Sequence, residues 1–400
     1  MDLQALKAEA ARELGENILP FWIDKMTDPR GGYYGRIDGH GRLDADAPKG
    51  LILNARILWT FSQACRMLGR AEYLQAARRA KDYLEEHFID REFGGAYWSV
   101  DAQGRPLDTK KQFYAIAFAV YGLAEYYRAT SDLTALETAK DLYRSIEEHS
   151  LDTVRGGYIE ACTREWGTIE DMRLSDKDEN CAKTMNTHLH ILEAYTGLYR
   201  VWKDAGLHDR LSDLIRIFLD RIIRPDGHLG LFFDEDWQLH GAMQSFGHDI
   251  ETSWLLVEAA EVLCESGDPL DRLLYLECIG ASRDLARAAT EGLTPDGMIY
   301  EYDPASGYRK EDRDWWVQAE AVVGYLNRWQ LAGDQADLDR SFASWDYIKR
   351  AVIAPDGEWY WGRKASGAVN LEDDRAGFWK CPYHNGRMCM ELITRLQLLP

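Results

Sequence analysis

DREFGGAYWSVD, residues Asp90 to Asp101, is a glycine-centred turn followed by aromatic and alternating residues, and the chain repeats it. Related copies are DPRGGYYGRID from Asp28, DTVRGGYIEA from Asp152, RPDGHLGLFFDED from Arg224, TPDGMIYEYD from Thr294 and APDGEWYWGR from Ala354. With Gly31, Gly94, Gly156, Gly227, Gly297 and Gly357 as markers, the steps are roughly 60 to 70 residues, the sign of a periodic architecture. Glycine suits a tight turn that needs positive φ. The residues behind it, Tyr97-Trp98, Phe232-Phe233 and Trp359-Tyr360-Trp361, read as the second strand of a hairpin.

Between successive turns lie two stretches of helical periodicity, such as Ile52–Leu68 and Ala71–His87. Two helices in each of six repeats make twelve, one of each pair forming an inner wall and the other an outer wall. The expected fold is therefore all-α, an (α/α)6 barrel of twelve helices with short β-hairpins in the connecting loops. The repeat overrides the usual length prior of about 150 residues per domain. With no linker or low-complexity tract, residues 1–400 read as a single catalytic domain. The opening MDLQALKAEAARELGENILPFW is acidic and amphipathic, so it reads as a first helix and not as a signal peptide.

Composition narrows the function. The net charge of −20 disfavours nucleic acid and anionic membranes as partners. No apolar run approaches the ~20 residues needed to cross a bilayer. Seven cysteines without CxxC spacing point to reduced thiols, a cytoplasmic setting and no zinc site. A small molecule is the expected partner, and 14 Trp and 21 Tyr suit a sugar, whose ring stacks on aromatic faces. Neither a G-x-S-x-G elbow nor a phosphate-binding glycine loop occurs, which leaves cofactor-free acid/base chemistry.

Polar and aromatic side chains recur at one phase of the six repeats, near one end of each inner helix. They are Arg56, Tyr114, Asn186 with His190, His248 with Glu251, Trp316 with Glu320, and Trp379 with His384. Residues three or four apart share a helix face, so each pair within a helix can point into one cavity on the axis. Glu251, hydrogen-bonded to His248, would fix its tautomer and raise its basicity. A metal is disfavoured: His188 and His190 lie about 200° apart on a helix and cannot readily grip one ion.

These segments together resemble the N-acylglucosamine 2-epimerase superfamily, and within it the cellobiose 2-epimerases. The resemblance is carried by NARILWTF around Arg56, MNTHLHILEAY around His190, SFGHDIETSW around His248, WWVQAEA around Trp316 and FWKCPYHNGR around His384, and spans about Glu13 to Leu396. It implies C2 epimerisation of the reducing-end glucose of a β-1,4-linked disaccharide, without metal or nucleotide. It further implies His248 and His384 as the acid/base pair, His190 assisting at the reducing end, Arg56 on the sugar oxygens and Glu251 as the partner of the histidine. Tyr114, Asn186, Trp316 and Trp379 match substrate-contacting positions, Glu320 joins them, and Asp178 matches a position that holds the second glucosyl unit. Slow aldose–ketose isomerisation is an expected side activity. The competing readings are a monosaccharide enzyme (a D-mannose 2-epimerase or isomerase, or the N-acylglucosamine 2-epimerase), an inverting glycoside hydrolase using Glu251 and Glu320, and a binding protein that kept the fold.

Overall fold

The structure is a computed structural model and describes residues 2–397. It is helix-rich, with many two- and three-residue strands in the loops. The first helical stretch runs from α1 (Leu3–Arg12) through a π-helical turn into α2 (Leu19–Met26). Helices then come in pairs: α3 (Leu51–Leu68) with α4 (Ala71–Tyr83), α5 (Phe113–Thr130) with α6 (Leu133–His149), and α7 (Met185–Val201) with α8 (Ala205–Ile217). The series continues with α9 (Phe246–Leu263) and α10 (Pro269–Ala289), then α11 (Trp315–Ala332) and α12 (Gln335–Ala351), and ends with α13 (Tyr383–Gln397).

The two members of each pair differ as their sequences require. In α3 every residue from Leu51 to Ala64 is buried, and in α11 every residue from Trp315 to Arg328. A helix covered all round needs neighbours on every side. In α6 the buried set is Ala135, Leu136, Ala139, Leu142, Tyr143 and Ile146, a one-sided stripe. The all-round helices α3, α5, α7, α9, α11 and α13 each pack on the next, and α13 packs back on α3. The one-sided helices lie outside them, and the opening helix α1 covers α13. The outer helices α6, α8, α10 and α12 begin on an aspartate, Asp132, Asp204, Asp268 or Asp334, whose carboxylate accepts a first-turn N–H. Such a cap contributes about 1 kcal/mol.

All six marker glycines have positive φ, from 75° at Gly156 to 135° at Gly31. Local hairpins are present, such as Ser99–Val100 with Pro106–Asp108, Phe232–Phe233 with Leu239–His240 and Glu301–Asp303 with Tyr308–Lys310. Each turn closes on a minimal pairing, such as Ile89 with Ala96 or Ile223 with Leu229. The extended residues further on also reach across to a different repeat. Lys49–Gly50, leading into α3, pairs with Ser99–Val100, and Lys111–Gln112 with Ala161–Cys162. Lys183–Thr184 pairs with Phe232–Phe233, Gln244–Ser245 with Glu301–Tyr302, and Arg313–Asp314 with Gly362–Arg363. A bridge between Ile37 and Ala376 makes the sixth junction, from last repeat to first. A short hairpin leaves one edge unpaired, and the neighbouring repeat covers it.

Buried cations hold the turns against these junctions. Lys49 Nζ lies 2.8 Å from Asp28 and 2.9 Å from the Gly31 carbonyl. Lys111 repeats the arrangement with Asp90 and Gly94, and Lys183 with Asp152 and Gly156. Lys380 pairs with Glu358 at 2.8 Å in the sixth repeat, both fully buried. In the fourth repeat Asp249 takes over, accepting from the Leu229 N–H and lying 2.7 Å from His228 Nδ1. His188 fills the matching place in the third, its Nε2 accepting from the Tyr158 N–H, so it is a structural residue turned away from His190.

Candidate active site

The buried inner helices all present their N-terminal turns to one end of the molecule, where a cavity of about 210 Å³ opens. Ten of the eleven residues singled out in the sequence line it: Arg56, Tyr114, Asp178, Asn186, His190, His248, Glu251, Trp316, Trp379 and His384. Glu320 does not. The N-termini of several inner helices meeting at one cavity give it a positive potential, suited to a negatively charged oxygen. A second chamber of about 260 Å³ adjoins the first, sharing Asp178, Asn186, His248 and Tyr300 in its wall.

The Trp316 indole stands between the two histidines, its ring centroid 4.7 Å from that of His248 and 5.7 Å from that of His384. His384 Nδ1 is 2.7 Å from Glu320 Oε1, so the proton sits on Nδ1 and the Nε2 lone pair is left free. His190 Nδ1 is 3.0 Å from Glu193 Oε2, with the same consequence. His248 Nδ1 meets the Ser245 hydroxyl at 2.8 Å, a group able to donate or accept.

The expected pairing of Glu251 with His248 is therefore not present. Glu251 Oε1 accepts from Arg387 Nη2 at 2.6 Å, and the imidazole nearest to it is His384, with Nδ1 3.9 Å away. Arg387 Nη2 also donates to Glu320 Oε1 at 2.6 Å, and its Nη1 donates to Glu193. Glu320, expected to touch substrate, lies beneath the cavity wall, held by His384, Arg387 and the Trp254 Nε1–H. Physically, the cluster places one guanidinium among three carboxylates, and lone carboxylates at this depth would not be tolerated. Glu251, Glu320 and His384 are near enough to share a cation. Arg387 supplies that charge already. Two carboxylates on one Nη2 are also too close for the ~6.5–9.5 Å separation of an inverting hydrolase.

Burial governs the protonation states. It lowers His248 to about 3, helped by His190, and His190 to about 4. Burial, then the Arg56 and Arg387 charges, hold His384 well below the ordinary histidine value. Burial and the neighbouring Glu320 raise Glu251 to about 8. For Glu193 burial is outweighed by Arg387 and His190, and its carboxyl is held at about 2. The three imidazoles are neutral at physiological pH.

Arg56 contributes a cation of another kind. Its Nη2 donates to the Tyr114 hydroxyl at 2.7 Å and its guanidinium lies 4.1 Å from the centre of the Phe118 ring, while its Nε has no partner. No carboxylate among the described residues pairs with it. Asn186 Oδ1 is likewise buried without a partner beside the cavity. Asp178, on the loop before α7, accepts from the Ser175 N–H at 2.9 Å and hydroxyl at 3.0 Å, and burial raises its carboxyl. Sequence reasoning missed Glu193, Arg387, Ser245, Tyr300 and Trp361. The first two lie three residues after His190 and His384, the same helical spacing that singled out Glu251.

The family profile described as N-acylglucosamine 2-epimerase (GlcNAc 2-epimerase) matches residues 32–385. The chain is 55% identical over 394 residues to a cellobiose 2-epimerase of Bacteroides fragilis, covering 98% of this chain and 99% of that protein. It is 40% identical to a cellobiose 2-epimerase of Ruminococcus albus, covering 97% and 98%. The solved structure of cellobiose 2-epimerase from Bacillus thermoamylovorans superposes with a TM-score of 0.92 at 39% identity, covering 98% of this chain and all of that one.

Proposed function

The chain belongs to the N-acylglucosamine 2-epimerase family, and on that premise we propose that it is an isomerase that epimerises C2 of the reducing-end glucose of β-1,4-linked disaccharides, converting cellobiose to 4-O-β-D-glucosyl-D-mannose. We read the fold as an (α/α)6 barrel forming one catalytic domain. Its thiols are all free, in keeping with a cytoplasmic enzyme. No helix among the described residues is long and apolar enough to cross a membrane.

One observation carries the reading: two neutral imidazoles, His248 and His384, flank a single indole in a cavity that also holds the unpaired cation Arg56. C2 epimerisation needs the sugar ring opened, the C2 proton removed next to the aldehyde, and a proton returned to the opposite face. His384, with Nδ1–H fixed by Glu320, offers Nε2 as a base. His248, whose Ser245 partner serves either tautomer, exchanges a proton in whichever direction the reaction runs. Arg56, with the inner-helix N-termini, stabilises the enediolate oxygen, and His190 assists ring opening. Trp316 is a stacking surface for the reacting glucose, with Tyr114, Asn186 and Trp379 around it. Asp178 and the second chamber take the other glucosyl unit. Returning the proton to C1 gives the ketose as a slow by-product.

The test is proton NMR of cellobiose with the purified enzyme in D2O, with EDTA and no nucleotide. Glucosyl-mannose bearing deuterium at C2 is the expected product. Turnover of mannose alone would move the substrate to a monosaccharide, and reaction of neither sugar would sink the proposal.

A further inference from the structure

We propose that Glu179, Cys181 and His240 form a site for one borderline divalent cation of the zinc class, at the rim of the second chamber and separate from the reacting centre. One donor atom from each of the three lies within 4.8 Å of the others. Glu179 and Cys181 come from the segment that leads into the Lys183–Thr184 strand, and His240 from the strand at Leu239–His240. Both strands pair with Phe232–Phe233, and this shared neighbour brings the donors together although 59 residues separate Cys181 from His240.

Three features suit a cation. The donor set joins a thiol, an imidazole and a carboxylate, the combination that selects a borderline metal over magnesium or calcium. A fourth donor is at hand, since Asp234 Oδ2 stands 3.9 Å from His240 Nε2. The charge is one-sided, with the carboxylates of Glu179 and Asp234 both standing beside His240. The nearest lysine of the strand, Lys183, is engaged by Asp152 and by the carbonyls of Gly156 and Glu235. No lysine or arginine among the described residues pairs with Glu179.

The geometry leaves room to close. Bonds of about 2.0–2.3 Å to a tetrahedral ion set donors about 3.5 Å apart. Glu179 and His240 are exposed, so side-chain rotation alone can bring them in from 4.8 Å, while buried Cys181 stays fixed. Gly241, at φ 73°, turns the chain directly after His240, and a Cβ there would stand 3.2 Å from Glu179 Oε1. A side chain at 241 would crowd the carboxylate. The ion would tie the loop that carries Ser175 and Asp178 to the neighbouring strand, so it is a tether and takes no part in proton transfer.

The experiment is titration of tag-free, chelator-treated protein with Zn2+ against a chromophoric competitor, and with Co2+ under anaerobic conditions. The expected result is one tightly held ion per chain and a thiolate-to-Co2+ charge-transfer band. Cys181→Ser should abolish that band, and His240→Ala should weaken Zn2+ binding on the order of tenfold or more. His240 is exposed, so its variant folds whether or not the serine variant does. Zn2+ affinity unchanged in His240→Ala, a Co2+ spectrum without the thiolate band, or no stoichiometric binding would each overturn the site.

Discussion

His384 Nδ1 lies 2.7 Å from Glu320 Oε1, so a carboxylate on α11 fixes the tautomer of an imidazole on α13. Glu320→Gln keeps the shape but removes the charge that holds the proton on Nδ1. We expect kcat on cellobiose to fall about 10- to 100-fold with KM changed far less. A change confined to KM would show that Glu320 does not act through His384.

His248→Ala and His384→Ala should each lose about 10²- to 10⁴-fold in turnover while remaining folded. Circular dichroism checks the fold and NMR the turnover. Near-normal activity in either variant would end the two-base scheme.

The acid limb of kcat/KM should lie below the ordinary histidine value near 6.5. Burial holds His248 at about 3 and keeps His384 low, so lowering the pH from 8 to 6 leaves both imidazoles neutral and competent. Protonation on further acidification removes the base. A limb centred near 6.5 would mean that the free site does not keep its histidines neutral.

Asp178→Ala should reduce cellobiose turnover much more than mannose turnover, because Asp178 lines both chambers while His190 and His384 line only the first. Equal losses on the two sugars would remove the argument for a second subsite.

Lys380→Met should cost about 3–5 kcal/mol, since it leaves the fully buried Glu358 without its cation. Urea denaturation measures it. A loss under 1 kcal/mol would show that the Trp22, Asn385 and Trp359 donors suffice to hold that carboxylate.

The sequence made much of this visible, and the limits have physical causes. Positive φ at the six marker glycines and two helices between turns are local properties, and they appear in the structure as read. Nine of the residues lining the cavity were found by their common phase along the repeats, and Asp178 by the family resemblance alone. What escaped were contacts between helices. Glu251 shares a face with His248, yet its partner is Arg387 on α13, a contact between helices that spacing along α9 does not contain. Glu320 looked like a wall residue and lies one layer lower, again because depth along a face depends on packing. The strand junctions escaped for the same reason: spacing shows that Phe232-Phe233 belongs to a hairpin but not that its other edge meets Lys183–Thr184.

The bridge between Ile37 and Ala376 gives the strand junctions no first and no last member. An open array of repeats grows or shrinks by gene duplication, each new unit docking on a spare end. This chain has no spare end to offer, so a seventh unit would have to force the circle apart before it could be accommodated. Cutting is another matter. Ends moved by circular permutation to an exposed connection between an inner and an outer helix, such as the loop at Gly267 between α9 and α10, should leave every junction in place.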